Sequence, residues 1–226
     1  MKTLTVILTL AIALGAVLWH GWLPPRWNPW APFDVNEVPN LLTRFKLARL
    51  ASDPPLCLQV LARSGMQFTE QADHSAGQCP LHDVVRVEQA GVRLSSRFLA
   101  TCPMAVAFAL FERHALQPAA RAVYGQPVVA LEHVGSFACR NVYNRLQGRR
   151  SEHASANALD VTALRLADGR RISIVRGWGT QGEDGQFLRQ VRDGACEAFN
   201  GVLGPEYNAV HRDHFHLDMG RWSVCR

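Results

Sequence analysis

The sequence predicts an α+β fold in which helices pack on an antiparallel β-sheet. Three observations lead there. A helical-period apolar stripe runs through residues 101–124, short β-branched runs around an Asp-Gly turn occupy 127–175, and a late helix precedes one more strand-like run. With 226 residues, 48% of them hydrophobic, the chain can bury an ordinary core, which excludes general disorder and suits one domain plus a leader.

The elements follow in order. Met1-Lys2 and the apolar run from Leu4 to Trp19 read as a secretory signal or an uncleaved signal anchor, and either sends the remaining chain out of the cytoplasm. The run continues to Trp22-Leu23, close to the roughly 20 residues that span a bilayer, and no small-x-small cleavage site follows. An anchor over 1–23 with Lys2 on the cytoplasmic side is the preferred reading, with the Trp- and Pro-rich stretch 24–37 as a stiff spacer and 38–226 as the folded domain.

Within 38–61 the apolar spacing predicts one or two short helices, broken at Asp53-Pro54-Pro55. Residues 101–124 predict a stronger helix with Thr101 as N-cap, Pro103 in its first turn, Met104, Phe108, Phe111 and Leu116 facing the core, and a kink or end at Pro118. A strand is expected over 127–139, a polar and basic loop over 140–152, and a hairpin of strands 158–166 and 171–175 turning at Asp168-Gly169. A helix over 183–202, stopped by Gly204-Pro205, and a final strand over 209–219 complete the order, with no internal repeat.

The net charge of +5 suits an anionic partner, but the basic residues are scattered in short pairs such as Arg149-Arg150 and Arg170-Arg171. No aromatic-interleaved basic tract is present, so no nucleic-acid partner is expected. Six cysteines without a CxxC pair argue against a zinc ribbon or a redox motif and suit disulfides in an exported chain. Cys196 with Cys225 is the favoured pair, joining a helix to the C-terminal tail.

Two histidine-bearing segments carry the chemistry: Ser151-Glu-His153 running on to Asp160, and His211-Arg-Asp213-His214-Phe-His216. On a straight helix, His153 and Asp160 would lie roughly 10 Å apart along the axis. On a straight strand they would face opposite ways. A bend is therefore required, with His153 at the end of a loop, Asp160 in the following strand and Asn157 suited to the turn. His214 and His216, two apart in a strand, project from one face.

His153, Asp160 and His216 give three donors of the kinds used by catalytic zinc with one position open to water, and amide hydrolysis is the natural chemistry of such a site. The base or stabiliser beside it would be His211, Asp213 or His214, with Asp213 pointing away from the ligand face and suited to orienting a histidine. A metal-retaining binding module without catalysis, and a disulfide-held envelope domain without metal, remain competing readings.

These two patterns, Ser-x-His-(x)6-Asp and His-x-Asp-His-x-His, resemble the extensin-like C-terminal domain family, itself similar to zinc D-Ala-D-Ala carboxypeptidases and related peptidoglycan peptidases of the LAS superfamily. The likeness spans about 102–225. It implies a hedgehog/D-Ala-D-Ala peptidase-like fold, Zn2+ on His153, Asp160 and His216, and catalytic assistance from His211. Asp213 stands where other branches carry a glutamate base, and its shorter side chain leaves the base open among the three candidates. The resemblance further implies an arginine for the substrate's terminal carboxylate, with Arg140 first and Arg149 or Arg150 as substitutes; a planar guanidinium holds a carboxylate with two hydrogen bonds. The implied partners are peptidoglycan stem peptides or cross-links on the periplasmic side of the inner membrane, cut by a carboxypeptidase or an endopeptidase.

Overall fold

The structure, a computed structural model, describes residues 2–19 and 23–226. Helix α1 (Lys2–Trp19) leaves Leu4, Ile7, Leu8 and Ile12 exposed. No helix among the described residues is long and apolar enough to cross a membrane. Met1 and the expected continuation of the anchor through 20–22 lie outside the described residues.

Helices α2 (Thr43–Leu50) and α3 (Pro54–Ala62) occupy the expected helical stretch, overrunning it by one residue, and break where the prolines require. The Asp53 carboxylate accepts from the Leu56 N–H at 3.1 Å, and Pro54 opens α3 at a position whose N–H would otherwise be unpaired. Six strands follow: β1 (Gln67–Glu70), β2 (His74–Ala76), β3 (Cys79–Leu81), β4 (Val84–Gln89), β5 (Arg93–Leu94) and β6 (Phe98–Thr101). The order β1-β4-β6 forms a small antiparallel sheet, and β2 pairs with β3.

Helix α4 (Cys102–Phe111) is the core of the molecule: every residue except Pro103 is buried. A helix apolar on all sides must be enclosed by other elements. Thr101 occupies the N-cap position, yet its hydroxyl donates to Asn157 Oδ1 at 2.7 Å and does not cap the helix. The expected kink is a π-helical turn (Glu112–Leu116), which passes into α5 (Gln117–Tyr124) with Pro118 in the first turn of α5.

Strand β7 (Val128–His133) ends well before residue 139. Strand β8 (Ala158–Leu166) has the expected bounds, while β9 (Arg171–Ser173) stops early because the chain turns into the short helix α6 (Ile174–Gly177). Helix α7 (Glu183–Ala198) is shorter than expected. Phe199 is already extended, and β10 (Gly201–Leu203) pairs with β11 (Phe215–Asp218), so sheet pairing overrides helical continuation. The last expected strand is in fact a 3-10 turn (Ala209–His211) followed by β11; β12 (Val224–Cys225) ends the chain.

The main sheet runs β12-β10-β11-β8-β7-β5, with β9 added on β8. Its centre is antiparallel; the β10–β12 and β5–β7 pairs are parallel. Phe108, Phe187, Phe199 and Phe215 are fully buried and fill the space between the helices and this sheet. The observed class is thus mixed α and β with antiparallel sheets, as the sequence predicts. Three disulfides hold it: Cys57–Cys102, Cys79–Cys139 and the favoured Cys196–Cys225.

Candidate metal centre

Strands β8 and β11 lie side by side, and their register sets Asp160 opposite His216. His153 reaches the same point from a 3-10 turn (Glu152–Ser155) ahead of β8. Ser151 begins that turn by accepting from the His153 N–H. The bend required by the sequence is present, but Ala156, not Asn157, takes the left-handed conformation, at φ 55°. Asn157 braces the turn instead, accepting from Thr101 and donating to Glu152 Oε2 at 2.9 Å.

The three side chains form a tight triangle. His153 Nε2 lies 3.1 Å from His216 Nδ1 and 3.1 Å from Asp160 Oδ2, and His216 Nδ1 lies 2.9 Å from Asp160 Oδ1. Atoms each about 2.0–2.1 Å from a tetrahedral zinc stand roughly 3.3 Å from one another, so this donor set fits such an ion. Among the described residues this is the only group of three or more His, Cys, Asp or Glu able to hold a metal.

Each histidine has its outer nitrogen engaged. His153 Nδ1 faces the Ser136 carbonyl at 3.1 Å, and His216 Nε2 faces Asp218 Oδ2 at 3.2 Å. Such contacts fix which nitrogen turns inward and raise its basicity. Sequence reasoning missed both partners. Asp218 was legible, since it stands two residues beyond His216 and therefore on the same face of β11. Ser136 acts through its backbone and left no side-chain signal.

Burial favours a neutral Asp160, but hydrogen bonds from His153 and His216 outweigh it and hold the carboxyl well below the usual carboxylate range. For His216, burial opposes the charge, while Asp160 and Asp218 on either side lift its pKa to about 9. His211 is pushed down to about 4, first by burial and then by His216 and His214 nearby.

The remaining candidates divide. His214 precedes β11, so a turn and not strand alternation brings its Nε2 to 3.6 Å from Asp160 Oδ1. Asp213 is half-exposed and holds His214 Nδ1 at 2.9 Å from behind. The His211 ring centroid lies 5.3 Å from that of His214 and 5.8 Å from that of His216. All three histidines line one cleft of about 150 Å³.

The segment 140–151 is a hairpin-like arm: Ser151 N donates to the Arg140 carbonyl, Val142 N donates to the Arg149 carbonyl, and Asn141 bridges Arg150. Alternation along the arm sends Arg140 and Arg149 to the cleft wall, whereas Arg150 donates to Gln78 outside it. A larger cavity of about 510 Å³ lies between α4, α5 and α7, with a mostly apolar lining that includes His114 and Glu197.

Compared with known proteins, residues 55–226 match a family model described as extensin-like protein C-terminus, a longer stretch than the two histidine motifs alone suggest. No curated protein and no solved structure matches the chain.

Proposed function

We propose that this chain, which belongs to the extensin-like protein C-terminus family, is a zinc-dependent hydrolase of peptide bonds in peptidoglycan stem peptides or cross-links, working outside the cytoplasmic membrane on a LAS-type fold. The observation that carries the reading is the triangle of His153, Asp160 and His216, with both outer ring nitrogens engaged, at the floor of a cleft.

Zinc bound by these three residues would supply a polarised scissile carbonyl and a water of lowered pKa. The chain's own residues do the rest. Arg140, on the cleft wall, pairs with a substrate carboxylate and sets the peptide's direction. His211, buried and neutral near pH 7, accepts a proton during attack and returns it to the leaving amine. His214, backed by Asp213, offers a second polar group beside Asp160. The short Asp213 carboxylate is turned to His214, which favours His211 as the proton-transfer group.

One observation favours a second reading. His216 between Asp160 and Asp218 is already a complete ion triad when protonated, so the cluster could serve as a metal-free structural element of an envelope domain. Metal analysis of the purified chain separates the two: about one zinc per chain supports the first, and none under folding conditions supports the second. Digestion of purified muropeptides by the wild type and by His216→Ala then tests the reaction. Release of D-Ala or of cleaved cross-links by the wild type alone is expected; identical product profiles with neither D-Ala nor cleaved cross-links released would refute hydrolysis.

A further inference from the structure

The structure assigns Asn208 as a positioning residue: we propose that its side-chain oxygen fixes which nitrogen of His211 faces the cleft, while its amide nitrogen holds the arm 140–151 through Tyr143. The proposal rests on the reading of His211 as the proton-transfer group, although its test does not require turnover.

The hydrogen bonds leave one assignment. Asn208 Oδ1 lies 3.0 Å from the Val210 N–H, a group that can only donate, so the oxygen and not the amide NH2 must point there. The same oxygen is 2.8 Å from His211 Nδ1. An oxygen cannot donate to a ring lone pair, so Nδ1 carries the hydrogen. In the neutral ring Nε2 is then an unprotonated acceptor, and among the described residues it has no hydrogen-bond partner. This is the form a proton acceptor in the cleft must take; the other tautomer would point an N–H at the reacting groups.

The opposite end of the amide follows from the first. Asn208 Nδ2 donates to the Tyr143 hydroxyl at 3.1 Å, and the neighbouring Tyr207 ring stands edge-on to His211 at 5.3 Å. Tyr143 lies toward the tip of the arm, and it and Asn144 both have left-handed backbones, at φ 58° and 56°. Two successive non-glycine residues in that region are costly and persist where surrounding contacts hold them. Asn208 therefore holds the arm with its nitrogen and the histidine with its oxygen.

The test is a pair of long-range proton–nitrogen correlation spectra of the zinc-loaded full chain labelled at histidine nitrogen, recorded near neutral pH without substrate. In the wild type, His211 is expected to be hydrogen-bearing at Nδ1 with Nε2 bare; a ring protonated at Nε2 would overturn the assignment on the native protein alone. In Asn208→Ala, the preference is lost and both tautomers appear. Asn208→Asp keeps an acceptor and restores the native form. An Asn208→Ala spectrum identical to wild type would equally refute the role. Tyr143→Phe should leave the tautomer alone and speed amide exchange through the arm by about tenfold or more; unchanged exchange would remove the arm from the proposal. If stem peptides are turned over, Asn208→Ala lowers kcat by about tenfold or more with KM little changed. A native His211 tautomer in a protein that cleaves nothing would sink the proposed function while leaving the positioning by Asn208 intact.

Discussion

Asp218 stands two residues beyond His216 on the same face of β11, and its Oδ2 holds His216 Nε2 at 3.2 Å, leaving Nδ1 to face Asp160 and His153. Removing that contact frees the ring to rotate and lowers the basicity of its inward nitrogen. Asp218→Ala is therefore expected to weaken zinc binding by about 10–100-fold. Competition against a chromophoric chelator measures this directly. Affinity equal to wild type would mean that Asp218 plays no part in the centre.

Gly201 on β10 pairs with Asp218 across the sheet, and a methyl group at Gly201 would collide with the Asp218 carboxylate. Asp218 is buried and its carboxylate is held by His216 and by the Gly220 N–H, so yielding to the methyl group would break these contacts. Gly201→Ala should reproduce the zinc-affinity loss of Asp218→Ala without touching any polar group. Because both substitutions act through one carboxylate, the double variant should bind zinc about as weakly as Asp218→Ala alone. Additive losses would show that the glycine acts by another route.

The ion pair between Asp160 and His216 sets a pH dependence for the metal-free protein. His216 has its folded pKa raised to about 9, so its contribution is fully present below about 6.5 and is lost as pH rises through 9. Asp160 is depressed, so its contribution is present above about 3.9 and is lost as pH falls further. The same pair is being described from its two ends, and stability should peak between about 4 and 6.5. In chelator, Tm should drop on the order of 5 °C between pH 6.5 and 9. Added zinc must displace the His216 proton, so the stabilisation it gives should grow over the same interval. A chelated Tm that does not change across that range would refute this account.

How much of this was legible follows from what each residue does. His153, Asp160 and His216 were visible because their donor types and their positions around an obligatory bend reveal them, and the sheet register indeed sets Asp160 against His216. The position of the bend was not: left-handed backbone falls on Ala156, which carries no turn chemistry, because the surrounding contacts of Asn157, Thr101 and Glu152 impose it. Strands β1 to β6 went unpredicted because most are only two to four residues long, too short for alternation to register. The end of α7 was misplaced because Val202 continues the helical spacing of Leu188, Val191, Ala195 and Ala198, although it lies in a strand between β12 and β11. Helical spacing lost to sheet pairing there, and at His214 the expected strand alternation gave way to a turn ahead of β11.

The arm that presents Arg140 is fastened at its base, since Cys139 immediately precedes it and is bonded to Cys79 on β3. The two cysteines are 60 residues apart, and closing a loop of that size constrains the unfolded chain by about 4 kcal/mol in the chain-entropy description. Replacing both by alanine should therefore lower Tm by roughly 10 °C if that full amount is realised, and by less if the unfolded chain retains structure. A second consequence is specific to the position. With the base loosened, Arg140 is no longer held against the cleft wall, so a peptide with a free C-terminal carboxylate should bind more weakly, while zinc content stays near one per chain because His153, Asp160 and His216 lie beyond the staple. Calorimetric titration with such a peptide, beside metal analysis of the same sample, measures both. Loss of zinc together with peptide binding would show that Cys79–Cys139 supports the whole centre and not the arm alone.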